Sequence, residues 1–311
     1  MKSAFDANLA RLISATRGSM RALFDKEGFV EVTYPHMDPR TSAAFYSTFQ
    51  VTVPSDPQFA QFRGTLLVSG GRYMAEAARA LGRAYRIGPS FRAEIGENCL
   101  FDFQSIHATR EGQLEDILAL AEGILQSVAG NVAKLPNFRS AVLQKMSFPL
   151  PRITSAEAAK LVGVEAGQDL TYEDSARLLL KMNAVAVILT DIPESINKYA
   201  VFHRVDSRGA VRNFDIILSH GAESLTGCEY EPDHAALAKR LSKSVLLKAA
   251  VELGEPAETY AAPMIELITN GRSPIASLYC GQERLVRFLT GADKIEDATL
   301  WPVNASFLLA R

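Results

Sequence analysis

Several features that mark common function classes are scarce or missing in this sequence. Its 311 residues include only three cysteines, Cys99, Cys228 and Cys280. They lie far apart, form no CxxC pair and have no histidine at metal-ligand spacing, which disfavours a disulfide framework and a zinc site. The expectation is reduced thiols in a cytoplasmic protein. No charge sign dominates: 33 Lys and Arg stand against 35 Asp and Glu, a formal net charge of −2. The overall basic field with which nucleic-acid binders neutralise phosphates is therefore missing. No stretch approaches 18 uncharged apolar residues, and the N-terminal MKSAFDANLARLIS carries charges inside its apolar pattern. Neither a membrane span nor a secretory signal is read from it. The GxxxxGK[ST] and GxGxxG turns are absent as well, which sets aside the commonest phosphate-cradling folds.

What is present is a chain with 48% apolar residues, enough for one large core. Phe5, Leu9, Leu12, Ile13, Met20, Leu23 and Phe24 recur at three- and four-residue steps, predicting an amphipathic helix that Gly28 ends. Residues 29–32 read as a short strand stopped at Tyr34-Pro35, 38–65 as a polar loop, 66–68 as a buried strand and 72–81 as a helix. Two β-rich runs, 84–94 and 101–109, are joined by the turn-forming residues 96–98. A long helix is predicted over 113–134, and 151–182 reads as mostly helical. Strands follow at 184–190 and 213–218, then polar turns to about 233 and a helix through 253. Residues 274–279 form a last strand and 283–289 a last helix. Strands outnumber simple βαβ crossovers, so the expected class is α+β, an antiparallel sheet flanked by helices in a single domain spanning 1–311.

Arg92 ends a β-rich run, and Arg284 follows a glycine at the start of a helix. Guanidinium is always charged and grips phosphate oxygens with two parallel hydrogen bonds, so the two could clamp a polyphosphate. Asp215 and Glu223, separated by a turn-rich stretch, could offer carboxylate oxygens to Mg2+ beside ATP. Singly, none of these residues is distinctive. An arginine in a strand is more often an ion-pair or surface residue, and an isolated acidic pair is common.

Order along the chain makes them specific. Gly28-Phe29-Val30-Glu31-Val32-Thr33-Tyr34-Pro35 resembles the first motif of class II aminoacyl-tRNA synthetases. Tyr85 through Glu94, with Asp102-Phe103 after it, is similar to the second motif. Pro274 through Gly291, containing Gly281-Gln282-Glu283-Arg284, resembles the third. Residues 148–154 and Asn213-Phe214-Asp215 are similar to segments of the aspartyl/asparaginyl branch. The resemblance implies the class II antiparallel sheet, a homodimer built on the first motif, and ATP with Mg2+ as cofactors. It implies that Arg92 contacts the α-phosphate, Glu94 the adenine side, Phe103 the adenine face and Arg284 the γ-phosphate, with Asp215 and Glu223 as Mg2+ ligands. The Asp215–Glu223 stretch is read as one residue longer than the family pattern.

Departures from the family carry expectations of their own. The first motif begins near Gly28, so the N-terminal anticodon-binding barrel of this branch is not expected. A tRNA partner is therefore not expected, as in the similar archaeal asparagine synthetases. The family's acidic readers of the substrate ammonium align with Ala43 and His107. Its SPQ-x-Y-K segment aligns with Ser69-Gly70-Gly71-Arg72-Tyr73-Met74, replacing Gln by Gly71 and Lys by Met74, and its side-chain-reading Arg aligns with Tyr230. The second motif's loop is shorter near Asn98-Cys99. A buried carboxylate without its cation is costly, so the expected substrate is an acid other than aspartate, activated as an acyl-adenylate and passed to ammonia or a small amine. Ser69, Arg72, Ser105, His107, Glu229 and Tyr230 are the expected substrate contacts. The alternatives are conversion of aspartate as in asparagine synthetase, acyl transfer to a tRNA or carrier protein, and a non-catalytic paralogue.

Overall fold

The first helix, α1 (Ala7–Lys26), starts where the Asp6 carboxylate accepts hydrogen bonds from the amides of Asn8 and Leu9 at 3.0 and 2.9 Å. Those amides have no carbonyl partner inside the helix, so the cap fixes where it begins. The chain leaves at Gly28 with φ of 73°, a conformation that glycine adopts without the Cβ penalty. The computed structural model describes residues 6–38, 47–52, 64–96, 98–136, 138–165, 167–194, 201–203, 210–219, 222–252, 256–271 and 273–305. Along it follow β1 (Val30–Glu31), β2 (Met37–Asp38), β3 (Gln50–Val51), β4 (Gly64–Leu66), α2 (Gly71–Leu81), β5 (Arg83–Phe91) and β6 (Asp102–Glu111). Then come α3 (Leu114–Val132), α4 (Ala141–Lys145), β7 (Arg152–Thr154), α5 (Ser155–Val162), α6 (Tyr172–Lys181) and β8 (Ala186–Thr190). The rest comprises β9 (Asn213–Leu218), β10 (Ala222–Glu229), α7 (His234–Leu241), α8 (Val245–Glu252), α9 (Ala257–Thr269), β11 (Ile275–Gly281) and α10 (Gln282–Thr290).

Among the described residues the main sheet has eight strands in the order β1-β5-β6-β11-β10-β9-β8-β7. Its pairs are antiparallel except the two outermost, β1 with β5 and β7 with β8. The fold is α+β, as the adjacency of the strand signals implies. Side chains alternate between faces. Ile106, Leu278, Leu225 and Ile216 point to one face, where they pack with Phe24 of α1, Ile117 and Ile124 of α3, and Leu285 and Phe288 of α10. Phe24 stacks on Tyr85 of β5 at 4.3 Å between ring centres, tying α1 to the sheet. The opposite face carries the polar alternates and is left open for a site.

Four local expectations are corrected. The described parts of 38–65 include β3 and part of β4, which with β2 form a small second sheet in the order β2-β4-β3. Strands of two or three residues are too short to show alternation. Residues 222–229 form a strand where polar turns were expected, because a bulge and Gly227 break its period of two. Where one helix through 253 was expected, residues 234–252 hold two, α7 and α8, and α9 follows, its periodicity interrupted by Pro263.

Candidate active site

Over the open face lies a cleft of about 570 Å3. Its floor is set by strand alternation: Phe103 and Ser105 of β6, Tyr279 and Gly281 of β11, Thr226 and Cys228 of β10, and Asp215 of β9. Register aligns them across the sheet, Asp215 opposite Thr226, Thr226 opposite Tyr279, and Gly281 opposite Ser105. Arg72 and Ser69 on one wall, and Arg92, Glu94, Glu223 and Arg284 on another, also line it.

Arg92 follows the end of β5. Its guanidinium carbon stands 5.6 Å from the centre of the Phe103 ring, and its Nη1 lies 3.4 Å from Glu94 Oε2. Arg284 sits in the first turn of α10 and donates from Nη1 to the Glu223 carbonyl oxygen at 2.6 Å. A strand end and a helix start, distant in sequence, thus bring two guanidinium groups and an aromatic face to one opening.

Asp215 and Glu223 share a face because of the bulge. Asp215 pairs with Thr226 and Ile217 with Glu223, with a register shift between Glu223 and Leu225. Residues 223 and 226 differ by an odd number, so a regular strand would aim them to opposite faces. Burial, followed by the charge of Glu223, holds the Asp215 carboxyl well above its ordinary range, with Asp169 adding to the effect. A cation would relieve this crowding. The donors are hard oxygens, the set that Mg2+ takes. Among the described residues no three His, Cys, Asp or Glu side chains stand ready to cage a metal.

At the other end the polar groups are hydroxyls and the guanidinium of Arg72. Ser69 donates to Tyr279 Oη at 3.2 Å. A Cβ built on Gly71 would lie 2.9 Å from Tyr279 Oη and 3.7 Å from Tyr230 Oη, so both phenols crowd the start of α2. Burial pushes both phenols above their ordinary range, and they stay protonated. Ser105 Oγ lies 2.7 Å from Ser90 Oγ. Gly70 lies against the Tyr34 ring, where a Cβ would collide with it. Tyr34 Oη in turn accepts from Arg86 Nη1 at 3.1 Å. Gly70→Ala is expected to displace Tyr34 and to lower stability by about 1–3 kcal/mol, measured by urea unfolding.

Two expected substrate contacts lie elsewhere. His107 is on the cleft-facing side of β6 but beneath Tyr279, ring centres 3.8 Å apart, and is 1% exposed. Its Nε2 is 3.2 Å from Thr109 Oγ1. Burial, helped by the Arg86 charge, pushes its pKa down to about 3, so the ring is neutral. Glu229 is 3% exposed and is likewise not among the lining residues, because Cys228 and Tyr230 take the cleft side and alternation sends Glu229 away. It accepts from the Leu114 amide at 2.9 Å, Arg212 Nε at 2.8 Å and His203 Nδ1 at 2.9 Å. That is a carboxylate capping the start of α3, where the helix leaves amides unpaired. Met74 is fully buried, and Ala43 lies outside the described residues.

The cleft also holds Asp169, Cys228, Tyr279 and Glu283, which sequence comparison did not single out. Glu283 neighbours Arg284 and is buried, and the Gln104 amide points at both its oxygens, 3.2 and 3.1 Å away. Burial pushes its pKa up to about 7. The folded state therefore binds this proton more tightly than the unfolded chain, with its ordinary value of 4.5. The stabilisation is fully present below the unfolded value and is lost as pH rises through about 7. Glu283→Gln is expected to flatten that part of the stability–pH curve, recorded by urea unfolding at pH 4.5 to 8.5.

The profile of the family described as tRNA synthetases class II (D, K and N) matches residues 4–305. The asparagine–tRNA ligase of Desulfotalea psychrophila is 24% identical over 96% of this chain and 70% of its own length. That of Lactococcus lactis is 24% identical over 90% and 64%. Asparaginyl-tRNA synthetase of Pyrococcus horikoshii, solved with asparaginyl-adenylate, superposes with a TM-score of 0.78 at 20% identity, over 96% of this chain and 68% of that one. Aspartyl tRNA synthetase of Entamoeba histolytica gives 0.74 at 20% identity, over 96% and 58%. The chain belongs to the class II (D, K and N) tRNA synthetases, a family of ATP-dependent, AMP-forming ligases, and spans roughly two thirds of the length of these relatives. Among the described residues no helix is long and apolar enough to cross a membrane.

Proposed function

We propose that this cleft activates a carboxylic acid other than aspartate with ATP, and that the acyl group passes to ammonia or a small amine. The observation that carries the reading is the convergence of Arg92, Phe103, Asp215, Glu223 and Arg284 on one opening. Adenine would lie on Phe103 beside Glu94, the α-phosphate at Arg92 and the γ-phosphate at Arg284. Asp215 and Glu223 would hold Mg2+, which when bound offsets charge on the phosphate oxygens. A carboxylate oxygen attacks the α-phosphorus; the new C–O–P linkage forms as the bond to the β-phosphate oxygen breaks, and pyrophosphate leaves. The amine nitrogen then attacks the acyl carbon, loses a proton to solvent, and AMP leaves with the electron pair. Arg92 and Arg284 contribute by position and fixed charge, with no protein nucleophile.

The altered substrate end supports an acid other than aspartate. Met74 is buried, Tyr230 is a phenol, and neutral His107 is covered by Tyr279. The near-zero net charge favours a small acceptor over a tRNA. We further propose a homodimer through α1 and the edge strand β1, where Val30 is exposed, a state that light scattering reads directly. To test the activity, the protein is incubated with ATP, Mg2+, a mixed panel of acids and hydroxylamine as the trapping amine. AMP and a hydroxamate are expected in equal amounts, and Arg284→Ala should lower both about 100-fold. ATP turnover without hydroxamate, or no turnover with any acid, would contradict the reading.

A further inference from the structure

Beyond the hydroxyls of Ser69, Tyr230 and Tyr279, the cleft does not end. It continues between α2 and α9 along a wall of Ala75, Phe202, Leu246, Met264, Leu267 and Ile268. These belong to a second apolar cluster, separate from the core under the sheet, that packs α7, α8 and α9 against α2. Phe202 is fixed beside Tyr230 by an antiparallel bridge. Ala75, Phe202, Leu246 and Ile268 are buried within that cluster, and Met264 and Leu267 are half-buried, so it meets the cleft along a narrow apolar flank.

Charge is distributed unevenly along the cleft. Among the described residues the lining carboxylates are Glu94, Asp169, Asp215, Glu223 and Glu283. Glu94 is next to Arg92, Glu283 adjoins Arg284, and Glu223 and Asp169 both act on Asp215. Thr226, opposite Asp215, is four residues before Tyr230, or about 13 Å along the strand. Among the described lining residues, α2, α8, α9 and the Tyr230 segment contribute no carboxylate, and their one charged group is Arg72. A buried ammonium needs an acidic partner, and His107 is neutral and covered by Tyr279.

We infer that the acid this site takes has an apolar body and no ammonium group: an aryl- or alkyl-carboxylic acid whose body lies along Ala75, Phe202, Leu246, Met264, Leu267 and Ile268. The inference rests on the adenylation reading above, since it assigns the carboxylate end to Arg92. Ala75 is the residue that sets depth, being the smallest side chain on the wall. Met264, unbranched and polarisable, suits a range of apolar shapes.

The test is calorimetric binding, in the presence of a non-hydrolysable ATP analogue and Mg2+, of acetate, butyrate, hexanoate, 4-phenylbutyrate, aspartate and asparagine, together with ATP–pyrophosphate exchange for each. Affinity is expected to rise about fourfold per added methylene, and 4-phenylbutyrate should bind at least tenfold more tightly than aspartate, with exchange in the same order. Ala75→Leu should lower affinity for 4-phenylbutyrate at least tenfold while sparing acetate, and Leu267→Ala should move the optimum to a longer acid. Aspartate or asparagine binding and exchanging as well as the aryl acid would overturn the inference and leave adenylation standing. The predicted binding order with no exchange for any acid would uphold it and overturn adenylation. Failure of every apolar acid to bind would overturn it outright.

Discussion

Arg92→Ala is expected to slow pyrophosphate exchange by about 10²–10³-fold while leaving the circular dichroism spectrum unchanged. Arg92 lies past the end of β5, partly exposed in the cleft, so its removal opens no core cavity. What is lost is a fixed guanidinium where charge accumulates as the α-phosphorus is attacked, and water would have to reorganise to replace it. Arg92→Lys should recover little, because an ammonium cannot supply two parallel donors to a phosphate. Steady-state kinetics of the two variants, with substrate saturation checked separately, distinguishes lost transition-state binding from a raised KM. A loss below tenfold for Arg92→Ala would place the phosphate elsewhere.

Glu229→Ala should do the opposite: damage the fold first and the chemistry only through it. Glu229 is buried against the Leu114 amide, Arg212 and His203. Truncation strands the helix-start amide of α3 and leaves Arg212 facing a cavity beside Leu114. Removing one member of a buried charged set costs about 3 kcal/mol or more, visible as a lower urea midpoint. Glu229→Gln keeps acceptors for the amide and should recover part of that loss. If instead Glu229→Ala kept full stability and changed only the affinity for the acid, Glu229 would be a substrate contact after all.

The residues proposed for the phosphate end could be picked from the sequence because they carry charge and sit in ordered motifs. Arg92, Phe103, Asp215 and Arg284 come to one cleft, as do Glu94 and Glu223. The substrate end was harder. Whether Glu229 or Cys228 faces the cleft depends on strand parity, and β10 was hidden by a bulge whose register only the paired strand reveals. His107 shares a face with Phe103 and Ser105, yet Tyr279 from β11 lies over it. Nothing local to either residue announces that stacking. The apolar wall was invisible for a similar reason: Ala75, Phe202 and Ile268 are ordinary core residues in sequence, and only the packing of α9 on α2 and the bridge of Phe202 to Tyr230 place them beside the cleft.

On the proposed reading a retained adenylating end works on an acid unlike aspartate. The most direct measurement is mass spectrometry of the enzyme quenched after a single turnover with ATP, Mg2+ and an equimolar mixture of aspartate, asparagine and apolar carboxylic acids. An acyl-adenylate of an apolar acid is expected in the enzyme-bound fraction; aspartyl- or asparaginyl-adenylate as the main species would overturn that reading.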